Sequence, residues 1–431
     1  MVEKRIPIQV AEAVERVMKY AKHGEVEEVS ITESYGRILG EDVVSDHDVP
    51  HFDRSPYDGF AIRAEDTDTK EASQEQPIEF EVIGEIGAGS VFTEEVGAFQ
   101  AVRIMTGAAI PEDCNAVVML ELTEGFERNE STYMKLKRPF QNGDNVSFKG
   151  EDIKQNQVLV KKGVVINPGV AALLATFGYS TVKVVKQPVV GIVTTGSELL
   201  EVHEALEPGK IRNSNSYMIA AQIMKAGGKV RYYGQLADEL DACFTAVKSA
   251  MDEVDILITT GGVSVGDYDY LPAIYERLQA NVLFNKIAMR PGSVTTVAEV
   301  DGKLLFGLSG NPSACYVGFE LFVHPIMKTY LHVKEPHVYR TDAILQKDFP
   351  KPNPFTRFVR AKASIVNGAL QAMPVGLDKS SAVSSLADAN AFIVLPGGTR
   401  GFEAGMKVSV LLLECSEGSD WPWTKPLQSY K

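Results

Sequence analysis

The chain has 431 residues, 45% of them hydrophobic, which exceeds what one ordinary core can use and calls for two to four domains. Acidic residues outnumber basic ones by 57 to 43, a formal charge of −14, so a nucleic-acid surface is excluded as the main business of the protein. Four scattered cysteines imply neither a disulfide framework nor a zinc site. The charged N-terminus has no secretory signal, and no apolar run approaches the roughly 20 residues of a bilayer span, so a cytoplasmic protein without membrane contact is expected.

In chain order, Val10, Val14, Val17 and Met18 fall at helical spacing and predict an amphipathic helix over residues 8–20. From about residue 54 to 142 the pattern changes to short β-type runs, IEFEVIGEI and AVRIMTG among them, separated by Gly, Pro and acidic turns. This reads as a β-rich module inserted into an N-terminal region spanning 1–187. Residues 146–163 look extended, and Asn167-Pro168 opens a short helix through Phe177.

From Pro188 the order becomes strand, loop, helix, repeated, the signature of an α/β domain over 188–335 with three layers and a mostly parallel sheet. VVGIVT, VRYYG, DILITT and KLLFGL are its strands. A helix over 214–226 is capped by Asn213 or Ser214 and stopped by Gly227-Gly228; a second carries Leu240, Phe244, Val247 and Met251 on one face. Asn311 and Pro312 open a long apolar helix that Pro325 is expected to kink. Residues 336–417 return to β alternation as a C-terminal β domain, and 418–431 read as a tail.

In an open parallel sheet, ligands bind beyond the carboxyl ends of the strands, which directs attention to the loops starting at Thr194, Asp238, Gly261 and Ser309. Thr195, Gly196, Ser197 and Glu198 offer hydroxyls, a free amide and a carboxylate, although a turn with Glu198 in solvent is the simpler account of that stretch alone. Gly261, Gly262, Ser264 and Gly266 could let backbone amides approach an anion, with Asp267 and Asp269 following at once. Ser309, Asn311 and Pro312 put a helix N-terminus at the same edge, suited to a phosphate or similar anion. Lys286 and Arg290 add positive charge. Three carboxylates at strand exits, Glu198, Asp238 and Asp269, would repel one another and an anionic ligand, so Mg²⁺ is the natural bridge between them. Asp58 and Thr106, in SPYDGFA and RIMTGAAIP, stand in turns whose ordinary chemistry would explain them.

Taken together and in order, SPYDGFA, RIMTGAAIP, FKGEDI, TTGSEL, GGVSVGDYDY and SGNPSA resemble the molybdopterin molybdenumtransferase family, to which the gephyrin E domain also belongs. The resemblance implies an elongated homodimer with its active site at the subunit interface. It also implies conversion of adenylated molybdopterin and molybdate to a molybdenum–dithiolene complex with release of AMP, and supply of substrate by a molybdopterin adenylyltransferase. By matching motif it gives catalytic roles to Asp58, Thr106, Glu198, Asp238 and Asp269, with Lys286 and Pro312 nearby. Rival expectations are adenylyl transfer to molybdopterin, a pterin-binding scaffold without turnover, and handling of tungsten. The chain departs from the family where Lys-Pro-Gly-Lys-Pro is common and Arg290-Pro291-Gly292-Ser293-Val294 stands, where Ser309 replaces Pro, and where Ser147, Phe148 and Lys149 replace arginines. A less basic anion site is therefore expected.

Overall fold

Three periodic patterns in the sequence become three sheets in the computed structural model, which describes residues 6–68, 77–236, 239–261 and 270–423. The chain forms two compact units: Glu41–Lys162 with Pro168–Ser180, and the remainder. Helix α1 (Val10–Met18) opens the larger unit and buries Val10, Ala13, Val14 and Val17, the stripe expected from its spacing.

The smaller unit is built on β1 (Gly59–Ile62), β2 (Ile78–Ile86), β3 (Gln100–Ile104), β4 (Ala116–Met119), β5 (Thr123–Arg128) and β6 (Ser131–Leu136) in the order β4-β1-β3-β2-β6-β5. Successive residues of β1 feed opposite faces: Phe60 and Ile62 pack with Phe80 and Met134, and Ala61 with Val102 and Ile104. Gly59 has to be glycine because a Cβ there would strike the carbonyl oxygen of Val118 on the paired strand. Gly59→Ala is expected to cost on the order of 3 kcal/mol as the strands are forced apart. Urea unfolding checks this; an unmoved midpoint would show that the sheet absorbs the methyl. Helix α2 (Pro168–Thr176) starts at Pro168 as expected. The extended stretch expected over 146–163 is largely turns, with a strand only at Val158–Val160.

In the larger unit come β7 (Val189–Thr194), α3 (Asn215–Ala226), β8 (Lys229–Gln235), α4 (Leu240–Glu253), β9 (Ile256–Thr260), α5 (Leu271–Arg277), β10 (Asn281–Phe284), β11 (Met289–Arg290), β12 (Thr296–Val300) and β13 (Lys303–Leu308). The sheet order is β8-β7-β9-β13-β12-β10, parallel from β8 to β13 and antiparallel beyond it. One face is covered by α1, α3 and the helix after β13, the other by α4 and α5, giving the three-layer mostly parallel α/β domain. Asn213, not Ser214, caps α3, its Oδ1 accepting from the Ser216 amide at 3.2 Å.

The helix after β13 runs as α6 (Pro312–Gly318), a π-helical turn over Phe319–Val323 and α7 (His324–Tyr330). Pro325 thus stands in the first turn of α7, and the widened turn before it accommodates the missing N–H where a sharp kink was expected. The C-terminal sheet holds β14 (His337–Leu345), β15 (Thr356–Val366), β16 (Ala369–Pro374), β17 (Ala391–Leu395) and β18 (Lys407–Leu412). These pair in a closed cycle, β15-β16-β14-β18-β17 and back to β15, which leaves no long free edge. β11 joins this sheet in parallel with β15. The start of the expected tail is tied down: Trp421 packs edge-on against His337, and Pro422 accepts from Arg340. No helix among the described residues is long and apolar enough to cross a membrane.

Candidate functional site

Parallel register sets the stage. Thr194 pairs with Thr260 and Thr260 with Leu308, so three strand exits lie abreast at one edge. Thr195 N–H donates to the Thr260 carbonyl and Gly261 N–H to the Leu308 carbonyl, knitting the first loop residues together. The cleft they border has a volume of about 70 Å³ and is lined by Thr195, Glu198, Asn213, Asn215, Thr260, Gly261, Gly310 and Pro312 among others. Gly196 and Ser197 form the turn that presents Glu198; the Gly196 carbonyl takes the side-chain amide of Gln235, and its φ of 132° folds the Glu198 carboxylate back over the turn.

Glu198 is exposed and makes no ion pair among the described residues. Across the cleft, Asn215 donates to Thr260 Oγ1 and to the Gly310 carbonyl, both at 2.9 Å, while its buried Oδ1 has no partner. A free carboxylate and an orphaned amide oxygen are the hard donors that Mg²⁺ takes. Among the described residues there is no group of three or more His, Cys, Asp or Glu placed to hold a metal. Asp238, Gly262, Ser264, Gly266 and Asp269 lie outside the described residues.

A second, larger cleft of about 290 Å³ opens on the other side of the Ser309–Pro312 turn. Ser309 and Asn311 line it together with Arg290, Ser293, Arg357, Arg360, Asp378 and Lys379. The β11–β15 ladder sets Arg290 directly opposite Arg357 on neighbouring strands, and both residues line the cleft. Arg360, 1% exposed, donates from Nε to Ser385 Oγ at 2.8 Å and from Nη2 to the carbonyls of Leu377 and Lys379; burial pulls its pKa below the ordinary arginine value, with Asp378 opposing. Its Nη1 and the Nε of Arg357 are buried donors without acceptors. Several cations around one cleft, with N–H groups that have no acceptor within the chain, are chemistry suited to a compact oxyanion.

One expectation about this edge needs correcting. The helix N-terminus is not a free anion cradle: Asn311 N–H donates to Ser309 Oγ, Pro312 has no N–H, and Ser313 N–H donates to the Ser380 carbonyl. Further positive charge reaches the larger cleft from Arg357, Arg360 and Lys379, in the C-terminal sheet and its loops. These residues were missed by sequence reasoning; the available signal was a pair of arginines inside the otherwise apolar strand TRFVRAKA. Lys286 lines neither cleft.

In the smaller unit, Asp58 and Thr106 are brought together. Asp58 Oδ1 accepts from the Thr106 backbone N–H at 2.7 Å and from its hydroxyl at 2.9 Å. The backbone donor first, then the hydroxyl and the nearby Arg103 charge hold the carboxyl below its ordinary value, against a smaller desolvation effect. An NMR titration is expected to find Asp58 ionised below the usual carboxylate range, and Thr106→Val to move it part-way back. The stability tied to this pair is present at neutral pH and is lost as pH falls through the depressed folded value. An ordinary titration in the wild type would contradict the geometry.

Comparison with known proteins agrees along the whole chain. Residues 8–178 match the MoeA N-terminal region (domain I and II), 191–329 a probable molybdopterin binding domain, and 342–413 the MoeA C-terminal region (domain IV). A molybdopterin molybdenumtransferase of Bacillus subtilis is 63% identical over 431 residues, covering 100% of both chains, and one of Staphylococcus aureus is 53% identical over 96% of this chain and 97% of its own. Two crystal structures of Pyrococcus horikoshii moeA proteins superpose with TM-scores of 0.82 and 0.77 at 31% and 32% identity, covering 96% and 94% of this chain and 100% of theirs.

Proposed function

The chain belongs to the molybdopterin molybdenumtransferase family of molybdenum-cofactor biosynthesis enzymes, and from that premise we propose that it inserts molybdate into adenylated molybdopterin with Mg²⁺-dependent release of AMP. The observation that carries this reading is the Ser309–Pro312 turn, whose alternate residues line two different clefts, one basic and one with free oxygen donors.

In this reading the basic cleft holds molybdate. Arg290, Arg357 and Arg360 supply N–H donors to its oxygens, and Ser309 adds a hydroxyl at the rim. The strand-exit cleft takes the phosphoanhydride side of the substrate, with Thr195, Gly261 and Gly310 close to the backbone. Glu198, Asp238 and Asp269 are the proposed Mg²⁺ ligands, and the bound ion would neutralise charge on the anhydride as AMP leaves. Glu198 lays its carboxylate over the Gly196 turn, and the unpaired Oδ1 of Asn215, buried beside the cleft, is a further oxygen donor. Asp58 and Thr106, fixed to each other in the smaller unit, are a rigid carboxylate and hydroxyl to which the family resemblance gives catalytic roles.

A homodimer with the active site at the subunit interface is part of the proposal. Support within the chain is the apolar surface around α3, where Tyr217, Met224, Ile211 and Leu206 are exposed. Direct receipt of the adenylated pterin from a molybdopterin adenylyltransferase fits a substrate whose anhydride is easily hydrolysed. The test is to incubate purified protein with adenylated molybdopterin, Mg²⁺ and molybdate, following AMP release and reconstitution of a molybdoenzyme. Absence of AMP release from folded protein would sink the reading.

A further inference from the structure

The basic cleft contains an acid. Asp378, in the loop after β16, has a side chain 14% exposed; its Oδ2 accepts from Arg357 Nη1 at 2.7 Å and pairs with Lys351 Nζ at 3.2 Å, and its Oδ1 lies 3.9 Å from Arg360 Nη2. It therefore engages the same two guanidinium groups that face the cleft from the C-terminal sheet. A carboxylate has the wrong sign to line an anion receptor. If orientation of Arg357 were its whole task, a neutral acceptor would serve without repelling the ligand.

The electrostatics suggest another use. Arg290 and Arg357 are paired across a ladder and Arg360 lines the same cleft, so the cluster without a counter-charge would be costly to keep partly buried. Asp378 supplies that counter-charge from within the chain. Any oxyanion entering the cleft has to compete with it for Arg357 and Arg360, and meets a like charge on the cleft wall. Two donors, Arg357 Nε and Arg360 Nη1, are not engaged by Asp378, so the competition is partial.

We propose that Asp378 is a built-in counter-ion that weakens oxyanion capture in the basic cleft, so that the bound oxyanion is released to the pterin and not retained. This rests on the assignment of that cleft to the oxyanion substrate. Asp378 is a positioning residue in this scheme and takes no part in bond making.

The experiment uses the full-length protein and titrates it with molybdate by calorimetry, comparing wild type, Asp378→Asn and Arg290→Ala. Asn keeps the shape and an acceptor for Arg357 while removing the charge. Asp378→Asn is expected to bind molybdate about tenfold more tightly, and in turnover to lower both KM for molybdate and kcat. Weaker or unchanged binding in Asp378→Asn, with binding lost in Arg290→Ala, overturns the counter-ion role alone. Wild-type affinity in Arg290→Ala overturns the assignment of the cleft and this inference with it. A second measurement covers poor folding of Asp378→Asn: in wild-type crystals soaked with tungstate, the Asp378–Arg357 contact is expected to open beyond hydrogen-bond distance. A contact still near 2.7 Å beside bound tungstate overturns the proposal.

Discussion

With Glu198 replaced by glutamine, AMP release is expected to fall by about 100-fold while the unfolding midpoint moves by less than about 2 °C. The two halves of this expectation have separate causes. Glu198 is exposed and forms no ion pair among the described residues, so the fold loses little when its charge goes. Its place on the strand-exit cleft, folded over Gly196, makes its charge matter only when a cation or anhydride is bound. A single-turnover assay of AMP beside a thermal scan checks both. Release within a few-fold of wild type would return Glu198 to the plain solvent-facing turn that its local sequence allows.

The second large effect is expected from Arg360→Met, in stability and binding together. Arg360 donates to Ser385 Oγ and to the carbonyls of Leu377 and Lys379, and methionine leaves the buried Ser385 hydroxyl and the two part-buried carbonyls without that donor. At about 1 kcal/mol for each lost hydrogen bond, the cost is about 3 kcal/mol. The loop carrying Asp378 and Lys379 loses its anchor to β15 at the same time, so molybdate affinity should fall by at least about tenfold. Urea unfolding with an unchanged denaturant slope and calorimetric titration measure the two effects. Retained stability with normal binding would mean that the guanidinium is not what ties this loop to the sheet.

Local signals were strong where one element decides its own form. The stripe Val10, Val14, Val17 fixed α1, the buried run ILITT fixed β9, and Gly227 in the left-handed conformation ends α3 where the glycine pair suggested. The edge formed by Thr195, Gly261 and the Ser309–Pro312 turn was legible because parallel sheets place strand exits together. The basic cleft was not. It depends on a two-residue strand, Met289–Arg290, pairing with Thr356–Arg357 from a distant part of the chain, and no periodicity announces so short a partner. The amide that follows the Ser309–Pro312 turn was misjudged for a related reason, since the Ser380 carbonyl that takes the Ser313 N–H comes from the C-terminal sheet's loops. The ordered motifs supplied what pattern alone could not, the family to which the chain belongs.

The stitching of β11 into the C-terminal sheet also bears on time. The segment from β11 through β13 is bonded to one sheet at Arg290 and to another from Thr296 onward, so only residues 291–295 span the walls of the basic cleft and the separation of those walls is limited by a short tether. At the exposed mouth Arg290 and Lys379 are free to change rotamer, motions that run in picoseconds to nanoseconds, far faster than any movement of one sheet against the other.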